Sequence, residues 1–192
     1  SRLAEELQQE RTRLSNRIRQ QLWRYYPQLL EVSDDVTAEW VLDLWTLAPT
    51  PAKAARLRKA TLARLLQEHR IRRVEAEQVL GLLRQPAIPV AEGVTEAAVL
   101  HLRSLVARLR LASREFHQAE RKLDELCTAL KEDTIASGDA PRDAAVLSSL
   151  PGVGPVTLAT LLTEAAGPLA RRDYAALRTL SGVAPVTKRS GK

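Results

Sequence analysis

One apolar seam constrains the fold of this chain more than any other feature. Leu102, Leu105, Leu109, Ala112, Phe116, Ala119, Leu123, Leu126 and Leu130 recur at alternating steps of three and four residues. Four heptads of that spacing predict a helix over residues 95–132 with a coiled-coil seam along one side. Residues on the seam are expected to be core and not site. A second series, Leu3, Leu7, Leu14, Ile18, Leu22, Tyr25 and Leu29, predicts another long helix over about residues 1–30, interrupted at Pro27. The two helices either fold on each other as an antiparallel hairpin, with the intervening segment as its tip, or pair with a second copy of the chain. Spacing alone serves both arrangements.

The intervening segment changes sign along its length. Trp23, Tyr25 and Tyr26 near the end of the first helix read as a packing knot rather than a base-stacking platform. Residues 31–43 hold five carboxylates (Glu31, Asp34, Asp35, Glu39, Asp43) and no basic residue. They read as a solvated helix start favoured by the helix dipole rather than as a metal set. Ser33 or Asp34 is the expected cap of a helix running to Leu47. After the turn at Pro49-Thr50-Pro51, with Thr50 as cap, a basic helix is expected over residues 52–69, docked by Ala55, Leu62, Leu65 and Leu66. Between Pro51 and Arg73 there are eight Lys/Arg and one acid, a net +7 over 23 residues. Charge this dense costs self-repulsion that a polyanion relieves, so Lys53, Arg56 and Lys59 are candidate phosphate contacts. A short helix over residues 74–84 follows, ended by Pro86 and Pro89.

The first 136 residues are thus expected to form a helical coiled-coil region with a basic tip at 51–73. Ser137-Gly138-Asp139-Ala140-Pro141 is the expected hinge, and residues 142–192 a second domain. Its densest stretch is Leu-Ser-Ser-Leu-Pro-Gly-Val-Gly-Pro-Val-Thr-Leu at 147–158. Leu147 and Leu150 share a helical spacing. Pro151-Gly152-Val153-Gly154 breaks the helix, and Pro155 suits the first position of another. The pattern resembles the helix-hairpin-helix motif of DNA-binding proteins, with Gly152, Val153 and Gly154 presenting amides to a backbone phosphate. A plain αα-hairpin is the competing reading. The fold class is therefore all-α: long coiled-coil helices followed by a small helical domain with a helix-hairpin-helix motif.

Composition narrows the partners. Net charge is +6 and the pI about 9.9, which favours an anionic macromolecule. No apolar run approaches membrane-spanning length. A lone cysteine, Cys127, excludes an intrachain disulfide and fits a reducing, cytoplasmic setting. It lies in an apolar stripe and is expected to be buried. His69, His101 and His117 lack metal-site spacing, so no metal is expected on this chain. From Pro168 onward there are six Lys/Arg and one acid, a second basic patch containing Arg171, Arg172, Lys188, Arg189 and Lys192.

Leu-Pro-Gly-Val-Gly-Pro at 150–155 and Leu-Ser-Gly-Val-Ala-Pro-Val-Thr-Lys-Arg-Ser-Gly-Lys at 180–192, taken together, resemble the C-terminal domain of the IS110/IS116/IS902 transposase family. The likeness covers about residues 144–192, and a preceding coiled-coil region is also similar to the family's architecture. The resemblance implies a DNA recombinase whose members carry an N-terminal RuvC-like domain with four metal-binding acidic residues. It implies a serine nucleophile in the C-terminal domain and an element-encoded RNA that guides target choice. Carried over residue by residue, that serine is Ser190, with Ser181 the competitor. Lys188, Arg189 and Lys192 flank Ser190 and supply the cations that an attacked phosphodiester needs, while no base lies near it in sequence.

The chain holds no methionine and starts at Ser1, so it is expected to be a piece of a longer protein that lacks the RuvC-like domain and its Mg2+. DNA, a guide RNA and a second copy of the chain are the implied partners. The alternative is a helix-hairpin-helix DNA-binding module with coiled-coil oligomerisation and no chemistry.

Overall fold

The computed structural model describes residues 2–87, 89–91, 93–136 and 143–182, with only the helical backbone described for 130–136. Among these, every regular element is an α-helix: α1 (Arg2–Tyr25), α2 (Gln28–Glu31), α3 (Glu39–Leu47), α4 (Pro51–Ala55), α5 (Lys59–Glu68), α6 (Ala76–Leu83), α7 (Val94–Ala136), α8 (Asp143–Ser148), α9 (Pro155–Glu164), α10 (Ala166–Arg171) and α11 (Tyr174–Leu180). The expected all-α class holds. The chain forms two compact units, an N-terminal one of Glu6–Glu115 and a C-terminal one of Phe116–Lys192 with Ser1–Glu5. The expected hinge at 137–141 lies outside the described residues.

In the N-terminal unit, both apolar series enter one core. Leu14, Ile18, Leu22 and Leu29 are buried there with Leu102, Leu105, Leu109 and Ala112, and Arg108 reaches Glu10 across 3.4 Å. Leu3, the first residue of the α1 series, is exposed. The first helix is interrupted at Pro27 as expected: α1 ends at Tyr25, and the chain resumes in the single turn of α2. The aromatic knot is a pair rather than a trio. Tyr25 and Tyr26 are buried, and the Tyr25 hydroxyl donates to the Pro49 carbonyl (2.9 Å) while accepting from Trp45 Nε1 (3.1 Å). Burial raises the pKa of both tyrosines. Trp23 is 69% exposed, because two residues along a helix is a rotation of about 200° from Tyr25.

Two expected boundaries move. Neither Ser33 nor Asp34 caps a helix, since α3 begins at Glu39 behind Ala38 with no side-chain cap. The polar residues before it make a turn of their own, with Asp35 Oδ1 accepting from the Thr37 N–H (2.8 Å) and hydroxyl (2.6 Å). Such local bonds compete with helix initiation. The basic helix is also two helices, broken at Arg56–Arg58. Thr50 caps α4 as expected, its hydroxyl accepting from the Lys53 N–H at 3.2 Å. The break follows from burial: Leu57 and Leu62 both enter the core, yet five residues on a straight helix would set them about 140° apart. Ala54 and Leu57 dock this segment, and Ala55 is exposed.

Two of the five carboxylates of the acidic run, Glu39 and Asp43, are held by side chains from other helices. Arg110 on α7 donates to both Glu39 (3.0 Å) and Asp43, and His69 Nε2 lies 2.9 Å from Asp43. Among the described residues no cluster of three or more His, Cys, Asp or Glu is placed to hold a metal ion.

The seam of α7 is core only over its first half. Phe116, Ala119 and Leu123 are half-buried, and Leu126 is 53% exposed. Cys127, one position on, is buried as expected and donates to the Pro155 carbonyl at 3.6 Å. A straight α-helix repeats every 18 residues after about five turns, which puts Cys127 on the face of Leu109 and turns Leu126 about 100° away.

Candidate nucleic-acid interface

In the C-terminal unit, α8 and α9 flank a turn over residues 149–154. Leu150 lies beyond the end of α8 and is 49% exposed, so it does not share a buried face with the half-buried Leu147. Gly152 has φ +84°, a conformation that side chains resist, whereas Gly154 has φ −82° and is the N-cap of α9. Pro155 takes the first helical position, as expected.

The amides of this turn divide. The Val153 N–H, expected to be available to a ligand, donates to the Leu150 carbonyl at 3.2 Å. Among the described residues, the N–H groups of Gly152, Gly154, Val156 and Thr157 have no protein acceptor, and α9 has no side-chain cap. All four residues are exposed. Unbonded amides at a helix start create a local positive potential suited to an anion. Val156 and Thr157 were missed from sequence although Pro155 marked the helix start, because the glycines of the turn were read as the amide donors and not the first helical amides that follow them.

The glycines separate fold from binding. A Cβ at either position meets no atom within 4 Å. Gly152→Ala is expected to cost about 1 kcal/mol through its left-handed backbone, and Gly154→Ala close to none. Chemical denaturation checks the difference.

The flanking cations are unequal. Arg171 is exposed at the end of α10. Arg172 is taken by Asp143 at the start of α8 and also donates to the Leu169 carbonyl at 3.3 Å. Gly167-Pro168, expected as a turn, lies in the first turn of α10, and Asp173 caps α11 by accepting from the Ala176 N–H at 3.0 Å. Ser181 caps the end of α11, its hydroxyl donating to the Arg178 carbonyl at 3.1 Å. Lys188, Arg189, Ser190 and Lys192 lie outside the described residues.

In the N-terminal unit, Lys53, Arg56 and Lys59 are all exposed. Lys59 pairs with Glu77 on α6, and that hydrogen bond raises the lysine pKa and lowers the carboxylate's. Lys53 and Arg56 have no ion-pair partner among the described residues.

An all-α chain thus ends in a small helical unit with an uncapped, glycine-led helix start. Residues 144–192 match the family model described as "Transposase IS116/IS110/IS902 family". The chain is 63% identical over 76 residues to "Putative transposase y4uE" of Sinorhizobium fredii, covering 40% of this chain and 21% of that protein. It is 33% identical over 164 residues to "Mini-circle putative transposase for IS117" of Streptomyces coelicolor, covering 80% of this chain and 36% of that one. The chain therefore spans about a fifth to a third of the length of these curated relatives. No solved structure matches it significantly. Among the described residues no helix is long and apolar enough to cross a membrane.

Proposed function

We propose that this chain is the DNA-gripping and nucleophile-bearing portion of a transposase that catalyses strand exchange. The observation that carries the reading is the start of α9, where four exposed amides lack acceptors within the segment that matches the transposase family. In this reading the α8–α9 turn is a helix-hairpin-helix that holds a backbone phosphate. Arg171 contributes directly, and Arg172 after release from Asp143. Lys53, Arg56 and Lys59 form a second contact.

Ser190 Oγ then attacks a DNA phosphorus, a DNA hydroxyl leaves, and the strand stays joined to the protein through a serine phosphodiester. Lys188, Arg189 and Lys192 offset the charge that develops on the phosphate oxygens. An acidic RuvC-like domain, with its Mg2+, completes the enzyme. The described residues offer that ion no ligand set, so no step is assigned to it on this chain. The partly exposed seam over residues 116–126 pairs with a second copy, and a guide RNA selects the target.

DNA affinity measured across a salt series tests the grip. Each phosphate contacted by a cation adds about −0.9 to the slope of log affinity against log salt, so a steep fall is expected. A flat response overturns the reading.

A further inference from the structure

Among the described residues, the two non-glycine residues with positive φ are both arginines, Arg70 and Arg172, each at 56°. Each closes a helix in the same way. After α5, the Arg70 N–H donates to the Gln67 carbonyl (3.0 Å) and the Ile71 N–H to the Leu66 carbonyl (2.8 Å). After α10, the Arg172 N–H donates to Leu169 (3.1 Å) and the Asp173 N–H to Pro168 (2.9 Å). In this paired closure the left-handed residue is usually glycine, because any Cβ is penalised there.

Arg172 has an evident occupation, since its guanidinium binds Asp143. Arg70 has none of that kind: among the described residues no carboxylate lies within ion-pair distance of it. It stands instead on the wall of an open cavity of about 510 Å³ between the end of α5 and the start of α6. Arg72, Gln67, Glu75 and Ala76 share that wall. Arg70 and Arg72 are exposed, and α6 starts at Ala76 without a side-chain cap. The elbow therefore combines two uncommitted guanidinium groups, an amide donor in Gln67 and the unfilled amides of a helix start. Glu75 is the one carboxylate on the wall.

We infer that the α5–α6 elbow is a seat for a backbone phosphate of nucleic acid, with Arg70 and Arg72 as its cationic fork. The inference rests on the DNA-binding reading above and adds a site to it. A guanidinium pairs with two phosphate oxygens at once, which gives a left-handed arginine a use that glycine cannot supply. The competing explanation is structural: a cation at the end of α5 suits the helix dipole and does nothing else.

Arg70→Gly separates these, because it relieves the backbone while removing the charge. The full chain is measured by thermal melting and by titration with a short DNA duplex over a salt series. The expected result is a melting temperature unchanged or raised by up to about 2–4 °C. Duplex affinity is expected to fall several-fold, with a salt slope shallower by about 0.9. Arg72→Ala should weaken binding similarly, and Glu75→Gln should tighten it. An Arg70→Gly chain that binds DNA with wild-type affinity and slope overturns the inference and leaves the wider reading standing. A wild-type chain with no salt-dependent duplex binding overturns both. Pyrophosphate that raises the melting temperature of wild type but not of Arg70→Gly, with duplex binding equal in the two, would reassign the elbow to free phosphate compounds and overturn the backbone seat.

Discussion

Leu102→Ala is expected to destabilise the N-terminal unit by about 2–5 kcal/mol, whereas Leu126→Ala on the same seam should cost under about 1 kcal/mol. Leu102 has no exposed surface and packs in the main core, while Leu126 keeps 53% of its surface. Removing three carbons at the first position leaves a cavity that the surrounding leucines fill only partly. At the second, solvent already occupies much of the space. Urea denaturation gives both values, and equal losses would show that the heptad pattern is packed along its whole length in solution. If a second copy covers the C-terminal half of the seam, Leu126→Ala shifts the monomer–oligomer balance instead, which light scattering over a range of concentrations detects.

Ser190→Ala is expected to abolish the covalent protein–DNA adduct in a full-length transposase carrying this segment. It should lower strand exchange on the order of 10⁶-fold, the scale on which loss of a serine nucleophile disables a site whose groups act together. DNA affinity should survive, since the grip is assigned to the α9 amides and the arginines. An adduct that persists in Ser190→Ala overturns the assignment. If Ser181→Ala then removes it, the nucleophile sits at the end of α11, where its hydroxyl would first have to leave the Arg178 carbonyl. Wild type that grips DNA and forms no adduct would leave the binding module without chemistry.

Periodicity made the helices legible, and it stopped being informative where partners decide burial. The 3-4 spacing of α7 locates a stripe but does not say how far along the helix anything covers it, so Leu109 and Leu126 look alike in sequence. Cys127 reads as buried because it lies in an apolar helical stripe. The end of α5 fell within one residue of the expected position, but its left-handed closure was illegible for a different reason. Glycine advertises a left-handed closure, and Arg70 does not. The break at Arg56–Arg58 was hidden by good helix-forming residues on both sides, and tertiary burial of Leu57 overrode them. At the candidate site, Pro155 and the two glycines correctly marked a helix start. Which amides stay open depended on a hydrogen bond, Val153 to Leu150, that no residue type encodes.

The placement of the tryptophans and of the cysteine has a practical consequence. Trp23, Trp40 and Trp45 all belong to the N-terminal unit, with the latter two buried, and the single thiol is buried in the C-terminal unit. Indole emission and thiol labelling therefore act as two private clocks, one for each unit. If the units unfold independently, the clocks run at different denaturant midpoints, and a single global stability for this chain has no meaning. Ligand effects can be assigned in the same way. A duplex held at the α9 turn slows the thiol clock, while one held at the basic segment around α4 and α5 delays the indole transition.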